Sequence, residues 1–145
     1  MVPTKFQVKE VDHGNNSKTQ LIKKGRYYLS KHRRLELEHF CAQYYEWKEE
    51  LSCITAITER HYQDVKGTII GDPTAKTALR ALKLKENMAL VEEAASKIDI
   101  GDYIFEAVTR EYTFAYFEAR GIPCSRNVFY ERLRAFYYVL DKLRQ

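Results

Sequence analysis

Two stretches of this chain repeat apolar residues at helical spacing, and this pattern constrains the fold more than any other feature of the sequence. In both stretches the intervals are 3, 4, 3, 4 and 3 residues, which places each set on one face of an α-helix, as in a packed helix–helix seam. Only 6 Gly and 3 Pro occur among 145 residues, so the sequence predicts an all-α fold. The seams are Leu37, Phe40, Tyr44, Trp47, Leu51 and Ile54 in the first stretch, and Ala81, Leu84, Met88, Val91, Ala95 and Ile98 in the second.

Capping residues set the expected bounds of these two helices. Ser30 is a suitable N-cap for a helix from Lys31 to about Arg60, and Asp72 precedes a second helix from Pro73 to about Ile98. Matching seams joined by a linker of about a dozen residues predict a long antiparallel helical hairpin. A second apolar stripe on the second helix needs a further partner, either the C-terminal region or another subunit. That stripe contains Leu79, Leu82, Ala89 and Leu90.

The C-terminal region shows a different pattern, in which shorter helices are separated by turns. A third helix is expected from Asp102, as its N-cap, to Glu111, and a short helix capped by Thr113 is expected over Phe114–Arg120. A turn at Gly121–Cys124 then precedes a last helix, capped by Ser125, that runs to Leu143. This order is the layout of a helix-turn-helix, whose second helix enters the DNA major groove by its N-terminal end.

Charge and cysteine content complete the predicted organisation. The chain carries a net charge of +4, and we expect a basic, weakly ordered arm over residues 1–28, the hairpin over 29–99 and the helix-turn-helix over 100–145.

No stretch approaches the roughly 20 apolar residues of a membrane helix, and no signal-peptide core is visible. Three widely spaced cysteines favour a reducing compartment such as the cytoplasm.

Helical geometry selects the candidate DNA-binding side chains. If Phe129 and Phe136 face inward, Asn127, Tyr130 and Glu131 point outward near the start of the last helix. Arg can pair with guanine, Asn with adenine, and Glu can accept a hydrogen bond from cytosine, whereas a phosphate contact needs only charge and reach. The predicted DNA-binding set is Arg120, Ser125, Arg126, Asn127, Tyr130, Glu131 and Arg134, with Arg120 and Arg134 as phosphate contacts.

Two segments carry a resemblance to a known family. The opening Leu29–Arg34 with Glu38–Lys48, and the ending Ile122–Tyr137, resemble the corresponding parts of phage late-gene transcriptional activators of the RinA/ArpU type. The most specific piece is Ser125-Arg126-x-x-Phe129-Tyr130, which resembles the start of that family's recognition helix. The resemblance implies a helical protein with a sigma-factor-like C-terminal helix-turn-helix that binds double-stranded DNA at a promoter, and whose hairpin contacts RNA polymerase or a second copy of the chain.

Two other functions remain open at this stage. One is a small terminase-like DNA-packaging subunit, in which the hairpin drives ring assembly. The other is a protein-binding module that uses a tyrosine-rich surface of Tyr130, Tyr137 and Tyr138. No zinc-type His or Cys spacing and no Gly-rich phosphate loop occurs, so the sequence predicts a protein that is not an enzyme, with no metal and no cofactor.

Overall fold

The computed structural model describes residues 27–64 and 72–145, with side chains over 27–60 and 75–145. Every regular element in these ranges is an α-helix and none is a strand, which confirms the all-α prediction. The helices are α1 (Lys31–Ala42), α2 (Tyr44–Asp64), α3 (Asp72–Ser96), α4 (Gly101–Arg110), α5 (Phe114–Glu118) and α6 (Arg126–Leu143). The predicted basic arm over 1–28 lies almost wholly outside the described residues.

The single helix predicted from Lys31 to Arg60 is wrong, because the structure divides it at Gln43 into α1 and α2. The backbone N–H of Gln43 donates to the Phe40 carbonyl at 3.3 Å, which tightens the last turn of α1. The Gln43 side-chain amide donates to the His39 carbonyl at 3.0 Å and so satisfies one of the carbonyls left open at the end of α1. At the other end, Ser30 is the N-cap as predicted and accepts a hydrogen bond from the Arg33 N–H at 3.2 Å.

The aromatic residues of the first seam form part of the core. Tyr44 and Trp47 are buried, and Phe40 packs edge-on against Trp47 with ring centroids 4.8 Å apart. Tyr44 also makes an edge-on contact with Phe105 of α4 at 4.9 Å. This burial shows that the aromatic part of the seam faces the core.

Helices α2 and α3 pack side by side and run in opposite directions. The Tyr44 hydroxyl, at the start of α2, donates to the Glu92 carboxylate near the end of α3 at 2.5 Å. Farther along α2, Glu50 accepts two hydrogen bonds from the Arg80 guanidinium, at 2.7 and 2.8 Å. Leu84 of α3 is fully buried in the seam between them.

Helix α4 begins in close contact with the end of α3. A Cβ atom placed on Gly101 would lie 2.2 Å from the Ala95 carbonyl oxygen. The backbones of α3 and α4 are therefore closer here than a residue with a side chain at position 101 would allow. The predicted cap at Asp102 is wrong, because the helix starts two residues earlier than that cap implies and Ile100 is the N-cap, without a side-chain hydrogen bond. The helix ends at Arg110, since Glu111 adopts a left-handed backbone with φ of 59°.

Helix α6 is held against α1 by charged and aromatic contacts. Arg33 donates to the buried Asp141 carboxylate at 2.5 Å, and the Arg34 guanidinium lies 5.4 Å from the ring centroid of Tyr137. A single buried cluster then runs from Leu37 in α1 to Leu140 in α6 and includes residues from the other helices between them. Within the ranges that the structure describes, no helix is both long and apolar enough to cross a bilayer.

Candidate nucleic-acid interface

A compact turn joins α5 to α6 and sets the direction in which α6 begins. The Ile122 N–H donates to the Phe117 carbonyl at 3.1 Å, and the buried Ile122 side chain fixes the turn to the core. Gly121 takes a left-handed conformation with φ of 78°, which a residue with a side chain adopts only at a cost. The turn expected at Gly121–Cys124 is therefore present. The short helix ends at Glu118, two residues before the predicted end at Arg120.

Aromatic packing holds α5 against the inner face of α6. Phe129 of α6 is 1% exposed, and its ring centroid lies 5.4 Å from that of Phe114 and 5.8 Å from that of Phe117. Phe136, two helical turns farther along α6, is fully buried. Since this inner face is committed to the core, the opposite face of the first turns of α6 is the one left in solvent.

The N-terminal end of α6 is capped and open. Ser125 accepts a hydrogen bond from the Val128 N–H at 3.3 Å, which confirms it as the N-cap. No acidic residue occupies the first turn of α6. The remaining N–H groups of that turn carry the positive end of the helix dipole, so this end favours an anionic group such as a phosphate.

The predicted DNA-binding residues fall into an exposed group and a half-buried group. Ser125, Arg126 and Asn127 are consecutive and exposed at the start of α6, and Glu131 is exposed one turn later. Arg120, in the preceding turn, is also exposed. Tyr130 and Arg134 are half-buried. Each of the seven side chains therefore keeps some surface in solvent, and five of them lie within one stretch around the start of α6.

Two of the arginines are stacked on tyrosine rings. The Arg126 guanidinium lies 5.4 Å from the ring centroid of Tyr130, and that of Arg120 lies 3.6 Å from the ring centroid of Tyr116. Arg120 also donates to the Tyr116 carbonyl at 3.1 Å. A guanidinium held over an aromatic face loses less conformational entropy when it binds a further group at its edge.

Tyr112 and Tyr116 complete this arrangement, and the sequence prediction did not include them. Their ring centroids are 3.8 Å apart with an angle of 24° between planes, so Tyr112, Tyr116 and Arg120 form three stacked layers. Partial burial, and then the hydrogen bond with Tyr112, raise the pKa of Tyr116 above its ordinary value. The intervals of four residues between the three positions are the signal that could have identified the stack.

Arg132 is a cation of α6 that the fold already uses. Its guanidinium donates to Asp99 at 2.8 Å and to Glu131 at 3.2 Å. The hydrogen bond from Arg132 lowers the pKa of Asp99 below its ordinary value, and the same bond raises the pKa of Arg132. Arg126 and Arg132 both lie on α6, but of the two only Arg132 donates hydrogen bonds to carboxylates.

The second half of α6 is covered by the N-terminal part of the described chain. Tyr137 is 5% exposed, so it cannot belong to the tyrosine-rich binding surface considered from the sequence. Tyr138, expected to point into solvent, is half-buried and packs against Tyr27 with ring centroids 5.7 Å apart. The open part of the outward face thus lies in the first two turns of α6.

The other reactive side chains do not assemble into a site. Cys41 is fully buried, and burial raises the pKa of its thiol to about 12. Cys53 is exposed on α2, and Cys124 lies half-buried in the turn before α6. Within the described ranges, no three His, Cys, Asp or Glu side chains are grouped as a metal site requires.

Comparison with known proteins gave no match to a family model, to a curated protein or to a solved structure.

Proposed function

We propose that this chain is a DNA-binding transcriptional regulator that uses α5, the following turn and α6 as a helix-turn-helix, with α2 and α3 as its helical hairpin. The observation that carries the proposal is the contrast between the two sides of the first turns of α6. Phe129 holds one side in the core, while Ser125, Arg126 and Asn127 are exposed on a capped helix end. This is the geometry by which a recognition helix enters a major groove.

Each exposed residue has a chemical role in this proposal. Arg126 and Asn127 reach base edges as donors, to guanine and adenine respectively, while Tyr130 and Glu131 contact the next bases along the groove. Ser125 and the N–H groups of the first turn receive a backbone phosphate. Arg120, held over Tyr116, and Arg134 contact the flanking phosphates.

The resemblance of Leu29–Lys48 and Ile122–Tyr137 to RinA/ArpU-type phage late-gene activators supports a promoter as the target. A bacterial host cytoplasm, and RNA polymerase as a partner of the hairpin, follow from the same proposal. The chemistry it assigns is recognition alone, with no catalytic step.

DNA binding is tested by fluorescence anisotropy with fragments selected from phage or host DNA, at several salt concentrations. We expect the logarithm of the affinity to fall linearly with the logarithm of the salt concentration. Arg120→Ala or Arg134→Ala should reduce the magnitude of that slope by about 1, because each removes one phosphate contact. An unchanged slope for both variants would exclude them as phosphate contacts.

Sequence discrimination is tested with Arg126→Ala and a matched control on the same helix. We expect Arg126→Ala to lose roughly 1–3 kcal/mol of discrimination at one base pair. Arg132→Ala removes an equal charge from α6, but its guanidinium is bound to Asp99, so we expect no change in base preference. If both variants weaken binding equally on all sequences, Arg126 does not read a base. If the wild-type chain binds no selected fragment, the proposed function is wrong.

A small terminase-like packaging subunit is the second candidate, because apolar side chains of α3 are exposed on the part of the α2–α3 pair away from Tyr44 and Glu92. Leu79 is 67% exposed and Leu82 is 53% exposed. Such a subunit assembles into a ring of many copies, so the mass of the protein in solution distinguishes it from the regulator. A ring would favour packaging.

A further inference from the structure

An apolar groove lies between α2 and α3, on the part of the two helices away from Tyr44 and Glu92. Its volume is about 680 Å³. The floor and walls are mainly apolar and include Leu51 and Ile54 of α2 and Ala78, Ala81 and Leu82 of α3. In a packed helix pair such a space is filled by side chains from a third element.

The apolar surface continues from the groove onto the outer side of α3. Leu82 lines the groove and is 53% exposed, and Leu79, on the neighbouring turn, is 67% exposed. A single exposed leucine is ordinary on a protein surface, but two leucines next to an open apolar groove mark an interaction site. They belong to the second stripe of α3, for which the sequence already required a partner.

Opposite charges stand at the two ends of the groove. Glu59 is the last lining residue on α2, and Lys85 is the last lining residue on α3. Because α2 and α3 run in opposite directions, Lys85 lies at the Leu51 end and Glu59 at the Thr77 end. Eight residues of helix separate Leu51 from Glu59, which is about 12 Å. Within the described residues, neither Glu59 nor Lys85 has an ion-pair partner.

We infer that a second copy of this chain occupies the groove and forms a closed dimer about a twofold axis. A twofold axis that crosses the middle of the groove exchanges its two ends, so Glu59 of each copy meets Lys85 of the other copy. The same operation brings the two Leu82 side chains together over the apolar floor. The surface is thus complementary to itself in charge, as an isologous interface requires.

The mass of the full chain in solution, without DNA, tests this inference. We expect light scattering to show a dimer of the 17.1 kDa chain that dissociates on dilution. Leu82→Lys places a charge in the apolar centre of the contact and should raise the dimer dissociation constant roughly 30-fold or more. Ile57→Lys is the matched control, because Ile57 is 52% exposed on α2 but does not line the groove. It should leave the dissociation constant unchanged.

A charge-reversal pair shows whether the contact is between copies. Glu59→Lys alone or Lys85→Glu alone should weaken the dimer roughly tenfold, because each creates two like-charge contacts. When these two single variants are mixed, both cross-chain pairs are opposite in charge again, so we expect a heterodimer as strong as the wild-type dimer. Recovery on mixing cannot come from a contact within one chain.

Three results would overturn the inference. They are a wild-type chain that stays monomeric throughout the micromolar range, a ring larger than a dimer, and a dimer that Leu82→Lys and Ile57→Lys weaken to the same extent. None of these measurements contains DNA, so a monomer, or a dimer that both variants weaken equally, rejects this inference without bearing on DNA binding. A ring would also favour the packaging alternative. Loss of DNA binding with an intact dimer would reject the regulator proposal alone.

Discussion

Two regions of this molecule use the same kind of helix in different ways. In the C-terminal core, formed by α1, α4, α5 and α6, large side chains such as Phe117, Phe129 and Phe136 are almost fully enclosed. In the α2–α3 end, formed by residues 51–60 and 75–85, Ile57, Leu79 and Leu82 are more than half exposed. The difference shows that heptad spacing determines which residues share a face, whereas the number of neighbouring helices determines whether that face is enclosed.

The largest difference that we expect between the two regions is in the reactivity of their cysteines. Cys41 is fully buried in the C-terminal core with its pKa raised to about 12, whereas Cys53 is exposed on α2. At pH 8 a thiol reagent should modify Cys53 on the order of 10³-fold or more faster than Cys41, because Cys41 must wait for the core to open. Mass spectrometry of timed samples measures both rates. Comparable rates would mean that the core opens as readily as the exposed surface.

Removal of one large side chain from each region gives the next largest difference. Phe129→Ala leaves a cavity against Phe114 and Phe117 and should lower the free energy of unfolding by about 3–5 kcal/mol. Leu79→Ala removes a side chain that is 67% exposed and should change the free energy of unfolding by less than about 0.5 kcal/mol. Urea unfolding followed by circular dichroism measures both. A large loss for Leu79→Ala in a monomeric sample would show that the α2–α3 end is enclosed by this same chain.

Each region also contains an Arg–carboxylate pair, and the two pairs differ in burial. Asp141 is buried where it accepts from Arg33, so Asp141→Asn should lower the free energy of unfolding by about 2–3 kcal/mol. The Glu50–Arg80 pair, at the border of the α2–α3 end, has contacts of 2.7 and 2.8 Å but is open to solvent on both sides. Glu50→Gln should therefore lower the free energy of unfolding by much less than Asp141→Asn does. Equal losses in urea unfolding would contradict the assignment of burial as the cause.

Alkaline pH should destabilise the C-terminal core because it ionises the buried thiol of Cys41 and the buried phenol of Tyr137. Burial raises the pKa of Cys41 from 9.0 to about 12 and also raises the pKa of Tyr137. An unfolded thiol ionises near its ordinary pKa, while the folded one stays protonated, so the stability contributed by neutral Cys41 is complete below pH 9 and is lost as the pH rises towards 12. At pH 10 the loss from Cys41 should be roughly 1 kcal/mol.

The control for this pH dependence is the exposed cysteine. Cys41→Ala should flatten the fall in unfolding free energy between pH 8 and pH 10, and Cys53→Ala should leave its slope unchanged. Equal slopes for the wild type and both variants would show that Cys41 does not contribute to alkaline destabilisation.

Local sequence signals predicted α6 well. Ser125 as the cap of α6 and the end of α6 at Leu143 both match the structure, because capping depends on residues within one turn. The break at Gln43 was not predictable in this way, since glutamine is a good helix former and the heptad spacing continues across it.

The candidate interface was predictable only where exposure follows from one helix alone. Ser125, Arg126 and Asn127 are exposed because Phe129 faces inward, and helical geometry gives that directly. The burial of Tyr137 depends on α1, whose Arg34 lies over the ring, and no spacing within α6 indicates a neighbour more than a hundred residues away. The stack of Tyr112, Tyr116 and Arg120 begins before the start of α5. The helical spacing within α5 alone therefore does not include Tyr112.

The close approach at Gly101 sets the distance between the end of α3 and the start of α4. A methyl group at this position would meet the Ala95 carbonyl oxygen at 2.2 Å, so Gly101→Ala must push α4 away from α3. Helix α6 packs against both α3 and α4, so it cannot keep both contacts unchanged when these two helices separate. The missing side chain at residue 101 is therefore what allows three helices to share one core.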